Sequence, residues 1–186
     1  MNSSYTFSEN KEILRFYSKS KDTKVRILSN FSPYEVNISG FQYKTGEHAF
    51  QSEKFLRIAA NTTNSERKKL LLEQSLKIKQ ANTPLEAKQF GGKSKTKGFM
   101  LTINEREIWE NKCLNVQNEI CNYKFHNYVD CRTLLQSYPE HYLLHQENRG
   151  KQPIWGGRIK NGVLIGQNKL GIIWMFFRNF DMNASP

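Results

Sequence analysis

The chain has 186 residues, 38% of them hydrophobic, which suits one compact domain with a sizeable core. Its formal net charge of +11 favours polyanionic partners, either DNA or RNA through a basic surface or a small phosphorylated substrate, without choosing among them. No run is apolar enough to span a membrane, Met1 to Tyr5 are not expected to open a secretory signal, and Cys113, Cys121 and Cys131, odd in number and without a CxxC spacing, are not expected to build a disulfide framework.

Residues 1–14 read as an N-terminal arm, 15–181 as the folded domain and 182–186 as a tail. Lys24 to Leu28 and Glu35 to Ile38 are expected to be short strands around the loop Ser29-Asn30-Phe31-Ser32-Pro33. Ser39-Gly40 is a hairpin turn into Phe41 to Lys44. A helix opens near Thr45 and is broken by Asn61 to Asn64. Thr63 followed by Glu66 is a capping-box pattern for a second helix to about Lys79. Thr83-Pro84-Leu85-Glu86 starts a third, which Gly91-Gly92 ends. Lys93 to Phe99 is basic and irregular, an expected exposed loop.

Thr102 or Asn104 caps a long helix to about Asn127, with Ile108, Cys113, Val116, Ile120, Tyr123 and Phe125 as its core contributors. A short helix follows over Cys131 to Tyr138, then a strand over Tyr142 to His145. Asn161-Gly162 turns a hairpin between Arg158-Ile159-Lys160 and Val163-Leu164-Ile165. Gly166-Gln167-Asn168 starts a last helix carrying Leu170, Ile173, Trp174, Phe176 and Phe177, apolar around most of its circumference and therefore central. The class is α+β, a helix-rich single domain with short antiparallel hairpins. His48, His126, His141 and His145 are scattered, so no metal site and no cofactor is expected. The thiols are expected to be reduced, in a cytoplasmic compartment with the nucleus left open, and the chain to be a monomer.

The first helix carries the sharpest chemical signal. At about 100° per residue, Glu47, Gln51, Lys54 and Ile58 point the same way, flanked by Phe50 and Phe55. A carboxylate, an amide and an amine inside an apolar stripe are costly to bury unless they pair with each other or with a ligand. The alternative is a solvated helix face making ordinary surface contacts. Three further segments hold residues a plain core does not require: Leu28 to Pro33, Glu147 through Trp155-Gly156, and Gly166-Gln167-Asn168-Lys169-Leu170-Gly171 through Arg178.

Taken together, in order from about Phe16 to Arg178, these four segments resemble the YbiA-like, or NADAR (NAD- and ADP-ribose-associated), family. That family's pattern has LSNF, then EHAFQ followed by KF, then an acid ahead of WG, then GxNxLG followed by an arginine. Trp109 and Lys124-Phe125 also fall where the family tends to place similar residues. The resemblance implies hydrolysis of N-glycosidic bonds. Its members cleave ribosylated intermediates of riboflavin synthesis, or remove ADP-ribose from guanine in nucleic acid. An ADP-ribose-type phosphorylated ribosyl substrate is implied here.

Such chemistry builds positive charge on the sugar ring. Glu47 is the candidate carboxylate to stabilise it and to activate water. Lys54 is the candidate second catalytic group, as a cation on substrate oxygens or as an amine forming a Schiff base with the opened sugar. Gln51 joins them as a substrate-binding candidate. Phe31 and Trp155 are candidates for stacking on base or ribose, with core packing as the alternative. Trp155 precedes a Gly156-Gly157 pair, where backbone can approach a ligand. Asn30 and Asn168 are candidates for ribose hydroxyls, with a turn and a helix cap as alternatives. Arg178 is a candidate to pair with Glu47, Glu147 or phosphate.

The family's acid three residues before the tryptophan is Gln152 here, which can hold a hydrogen bond but cannot take a proton. Glu147 falls where the family often has an earlier glutamate. Gly91 to Met100 follows the pattern poorly, and its basic character suits a nucleic-acid chain. A non-catalytic module that binds ADP-ribose or nucleic acid is the alternative that Gln152 favours.

Overall fold

A computed structural model describes residues 7–8, 10–92 and 98–182. The basic segment 93–97, at the heart of the expected exposed loop, lies outside the described residues. The chain groups into two compact units, residues 33–123 and residues 1–32 with 124–186.

In the unit of residues 33–123, strands β2 (Val36–Ile38) and β3 (Phe41–Tyr43) form an antiparallel hairpin. Its turn residues Ser39 and Gly40 have φ of 53° and 78°. Two successive left-handed residues are what a two-residue turn matched to strand twist requires. Helices α1 (Gly46–Ala60), α2 (Ser65–Gln80) and α3 (Pro84–Gly91) follow. The Thr45 hydroxyl accepts from the His48 amide at the start of α1. At α3 the Thr83 hydroxyl accepts from the Glu86 amide at 3.1 Å, and Pro84 occupies the first turn. The cap of α2 differs from expectation. Asn64, not Thr63, accepts from the Arg67 amide at 2.8 Å, because an asparagine standing one residue closer reaches the same orphan N–H. Phe55, Ile58 and Ala59 of α1 pack with Leu71 and Ile78 of α2 and Ala87 of α3 into one apolar cluster.

Helix α4 runs Ile103–Asn127. Thr102 caps it reciprocally: its hydroxyl accepts from the Glu105 amide, and the Glu105 carboxylate accepts from the Thr102 amide at 2.8 Å. Of its expected core residues Val116, Ile120 and Phe125 are buried, while Ile108, Cys113 and Tyr123 are half-buried.

In the other unit, β1 (Ile13–Phe16) pairs in parallel with β4 (Tyr142–His145). Lys24–Leu28 is a 3-10 helix rather than a strand. Alternating Val25 and Ile27 fit either form over five residues, and without a ladder partner the segment closes i to i+3 bonds, Arg26 to Thr23 and Ser29 to Arg26. Helix α5 spans Val129–Gln136, two residues earlier than expected. Strands β5 (Gly157–Lys160) and β6 (Val163–Gly166) form the hairpin turned by Asn161 and Gly162, again both left-handed. Helix α6 (Lys169–Met182) buries Leu170, Ile173, Trp174 and Phe177 and packs on β4, whereas Phe176 is exposed and stacks on Phe180.

Candidate active site

The stripe predicted on α1 forms, and it is not a solvated face. Glu47, Gln51 and Lys54 are only 6%, 9% and 8% exposed. Gln51 spans the other two. Its Nε2 donates to Glu47 Oε1 at 2.9 Å, and its Oε1 accepts from Lys54 Nζ at 2.7 Å. Lys54 also donates to the Gly91 carbonyl, at the C-terminal end of α3, at 2.5 Å. That end carries partial negative charge and suits an ammonium. The Lys54 ammonium lies 5.4 Å from the Phe55 ring centre and 6.0 Å from that of Trp109, inside the range of cation–π attraction. Phe50 meets Trp109 edge to face at 5.0 Å. The polar line is thus walled by aromatic carbon.

Burial raises the Glu47 carboxyl pKa above its ordinary value, against the opposing pull of the Lys88 charge, the Gln51 hydrogen bond and the Lys54 charge. A second buried carboxylate on the same helix shows the contrast. Glu53 accepts from the Tyr43 hydroxyl at 2.7 Å and forms an ion pair with Arg57 at 2.9 Å, and Arg57 reaches on to Glu119. That charge is neutralised within a structural network. The hydrogen bond on Glu47 comes instead from a neutral amide. His48, adjacent in sequence, is wholly buried between the Thr45 hydroxyl and the Ala81 carbonyl, and burial lowers its pKa. It acts as a neutral strut.

The remaining sequence candidates lie in the other unit. Asn30 and Phe31 are half-buried on a loop held from below by Lys124. Lys124 is fully buried and donates to the carbonyls of Ile27 and Ser29 and to the Ser32 hydroxyl. Trp174 Nε1 adds a bond to the Leu28 carbonyl at 2.9 Å. Glu147 and Trp155 are half-buried. The backbone from Pro153 to Gly157 is stitched to its surroundings. Glu147 N donates to Gly157 O, Gln167 N to Pro153 O, Asn168 N to Gly156 O and Leu170 N to Trp155 O. Gly156 is there for packing: an added Cβ would sit 2.4 Å from the His145 carbonyl and 2.8 Å from Glu147 Cβ. Gln152 is exposed, and its Oε1 accepts from the Gly166 amide at 3.2 Å, a bond the carbonyl oxygen of an amide makes without a charge.

Two candidates have structural occupations. Asn168, fully buried with φ of 48°, ties α6 to β4: its Nδ2 donates to Leu143 O at 2.8 Å, and its Oδ1 accepts from the His145 amide at 3.0 Å. Arg178 Nη1 donates to the carbonyls of Tyr138 and His141, each at 2.7 Å, and so braces the loop between α5 and β4. Sequence reasoning did not single out Lys88 or Gly91 as site residues. Lys88 counts there only toward the net charge, and Gly91 only as a helix stop and the start of the basic segment to Met100. Among the described residues no three His, Cys, Asp or Glu side chains group to hold a metal, and no helix is long and apolar enough to cross a membrane.

A carboxylate, an amide and an ammonium in one aromatic-walled line, on a helix entered by Glu-His-Ala-Phe-Gln, define a class. Residues 15–180 match the NADAR domain, and the chain belongs to that family. Its relatives include the N-glycosidase YbiA of Escherichia coli K12 and that of Shigella boydii serotype 4. Each is 28% identical over 167 residues, which is 89% of this chain and 86% of the relative. The solved NMR structure of the E. coli protein YbiA has the same fold, with a TM-score of 0.63 at 22% identity, over 100% of this chain and 94% of that one.

Proposed function

We propose that this protein is a hydrolase of N-glycosyl bonds, separating a nucleobase-like amine from C1 of a phosphorylated ribose, with ADP-ribose on guanine in nucleic acid or nucleotides as its substrate. Family membership and the likeness to proteins named N-glycosidases support the bond type. The net charge of +11 supports a polyanionic substrate. The observation that carries the reading is the buried line Glu47–Gln51–Lys54.

In the proposed reaction the C1–N bond breaks with its electron pair on the base nitrogen, and positive charge builds on the ribose ring. Glu47 stabilises that charge and takes a proton from water as the water oxygen bonds to C1. The proton passes to the leaving nitrogen. A carboxyl whose pKa is raised by burial suits exchange in both directions. Lys54 already donates to two acceptors, an arrangement that fits a cation directed at substrate oxygens. Asn30, Phe31, Glu147 and Trp155 are proposed to bind substrate rather than to react.

Incubation with a guanine-ADP-ribosylated oligonucleotide is expected to release free ADP-ribose, and Glu47→Gln to abolish release. An adduct that persists at high concentrations of the wild-type protein would overturn the assignment. Turnover of a long substrate should fall with added salt more steeply than that of a small one. Equal salt dependence would favour a metabolite, such as a ribosylated riboflavin intermediate. Borohydride trapping with ADP-ribose tests the cation role: a mass increase on Lys54 would show a Schiff base instead.

A further inference from the structure

We propose that Gln51 and Gly91 are positioning residues: Gln51 is a spacer that holds Glu47 and Lys54 as two separate charges, and Gly91 leaves the room that lets the spacer stand there. The inference rests on Glu47 and Lys54 being the reacting pair.

Three observations carry it. Gln51 touches both partners with the two ends of a single amide, at 2.9 Å and 2.7 Å. A carboxylate and an ammonium that close into a direct ion pair neutralise each other, and neither then serves a substrate. An amide between them satisfies both without transferring charge, since its nitrogen only donates and its carbonyl only accepts. Next, the space for the amide exists because residue 91 has no side chain. A Cβ there would sit 2.1 Å from Gln51 Oε1 and 2.7 Å from Gln51 Cδ. Those distances are far inside van der Waals contact, so an alanine must displace the amide. Finally, the Gly91 carbonyl is itself the other acceptor of the Lys54 ammonium. One residue thus fixes the amide by its missing side chain and the amine by its backbone. The C-cap residue Gly92 makes no such demand: its nearest would-be contacts lie at 3.2 and 3.4 Å.

The groups that bear on Glu47 from outside its own helix include the Lys88 charge on α3. This charge stays in place in every variant below, so changes in the Glu47 titration report the spacer.

The test is a double-mutant cycle on the full chain, using Gln51→Met, Gly91→Ala and the pair. It is read first by the 13C titration of the Glu47 carboxyl and then by kcat and KM on the ADP-ribosylated oligonucleotide. Methionine keeps the length of glutamine but neither donates nor accepts strongly. Each single change is expected to let the Lys54 ammonium close on Glu47 and so lower the Glu47 pKa, and to lower kcat by roughly 10- to 100-fold with KM within about 3-fold. The pair is expected to lose less than the sum of the two single losses, because Gly91 acts mainly through the Gln51 amide, although its Cβ would still stand 2.9 Å from the Cβ of residue 51. Additive losses in the pair, or a Glu47 pKa unmoved or raised in Gln51→Met, would overturn the proposal. Should Gly91→Ala not fold, the titration in Gln51→Met decides alone. If the titrations couple as expected while wild-type protein releases nothing, the spacer stands and the glycosidase reading falls. If wild-type protein turns over and the titrations do not couple, the reverse holds.

Discussion

Lys124 offers the strongest test of how the Asn30–Phe31 loop is held. Its ammonium is fully buried and donates to two backbone carbonyls and a hydroxyl, those of Ile27, Ser29 and Ser32. Lys124→Met keeps the length of the side chain and removes the donor. The Ser29 carbonyl, one of the two, keeps the Ser32 amide at 3.2 Å and the Ser32 hydroxyl at 2.7 Å, and that hydroxyl also stands 3.3 Å from the other. The other loses a charge-assisted bond in the interior, and the hydroxyl loses its ammonium. Hydrogen bonds to charged groups contribute about 1.5–3 kcal/mol each, and an unsatisfied buried acceptor costs about 1–3 kcal/mol. Partial rescue by Ser32 and by the apolar gain of methionine brings the expected loss to about 2–4 kcal/mol. For a chain of this size that lowers Tm by roughly 5–15 °C. Urea unfolding measures the loss, and hydrogen exchange at the Phe31 and Ser32 amides reports the loop itself. Both amides are bonded to Ser29 and should exchange faster. A loss below about 1 kcal/mol with loop exchange unchanged would refute the view that Lys124 organises this segment.

Glu47→Gln should be more stable than wild type near pH 7, and its advantage should vanish at acid pH. Burial raises the folded pKa of Glu47 above the ordinary carboxyl value of 4.5, so above 4.5 the unfolded chain ionises before the native one and wild-type stability falls as pH rises toward the folded pKa. Urea midpoints at about pH 7 and about pH 4 measure it, and an equal gap at both would contradict the burial argument. Gly171→Ala should destabilise strongly, although alanine is the better helix former, because its Cβ would lie 2.1 Å from the Leu143 carbonyl and 2.5 Å from Asn168 Nδ2. A loss of about 3 kcal/mol is expected by urea unfolding. Gly92→Ala is the control, and its effect should stay under about 1 kcal/mol.

Much of the local structure was legible because local physics decides it. The hairpin turns Ser39-Gly40 and Asn161-Gly162 need two left-handed residues, and few sequences tolerate them. The Thr83-Pro84-Leu85-Glu86 helix start carries its own hydrogen bonds within a few residues. The helical period alone placed Glu47, Gln51 and Lys54 on one face. Strand β1 was invisible by the same logic. Its partner β4 lies far along the chain, and a parallel pair leaves no turn between its strands to read. The Lys24–Leu28 segment alternates like a strand but has no edge to join.

The sequence by itself determined which side chains share a helix face and where the chain turns, since both follow from backbone geometry over a few residues. Whether that face meets water or carbon was decided only in three dimensions. The aromatic rings of Phe50, Phe55 and Trp109 beside the stripe, and the α3 terminus bringing the Gly91 carbonyl to Lys54, turn an ordinary trio of polar residues into a buried, hydrogen-bonded line. Those partners stand many residues apart, and it is packing that sets desolvation and therefore the chemistry of a carboxylate.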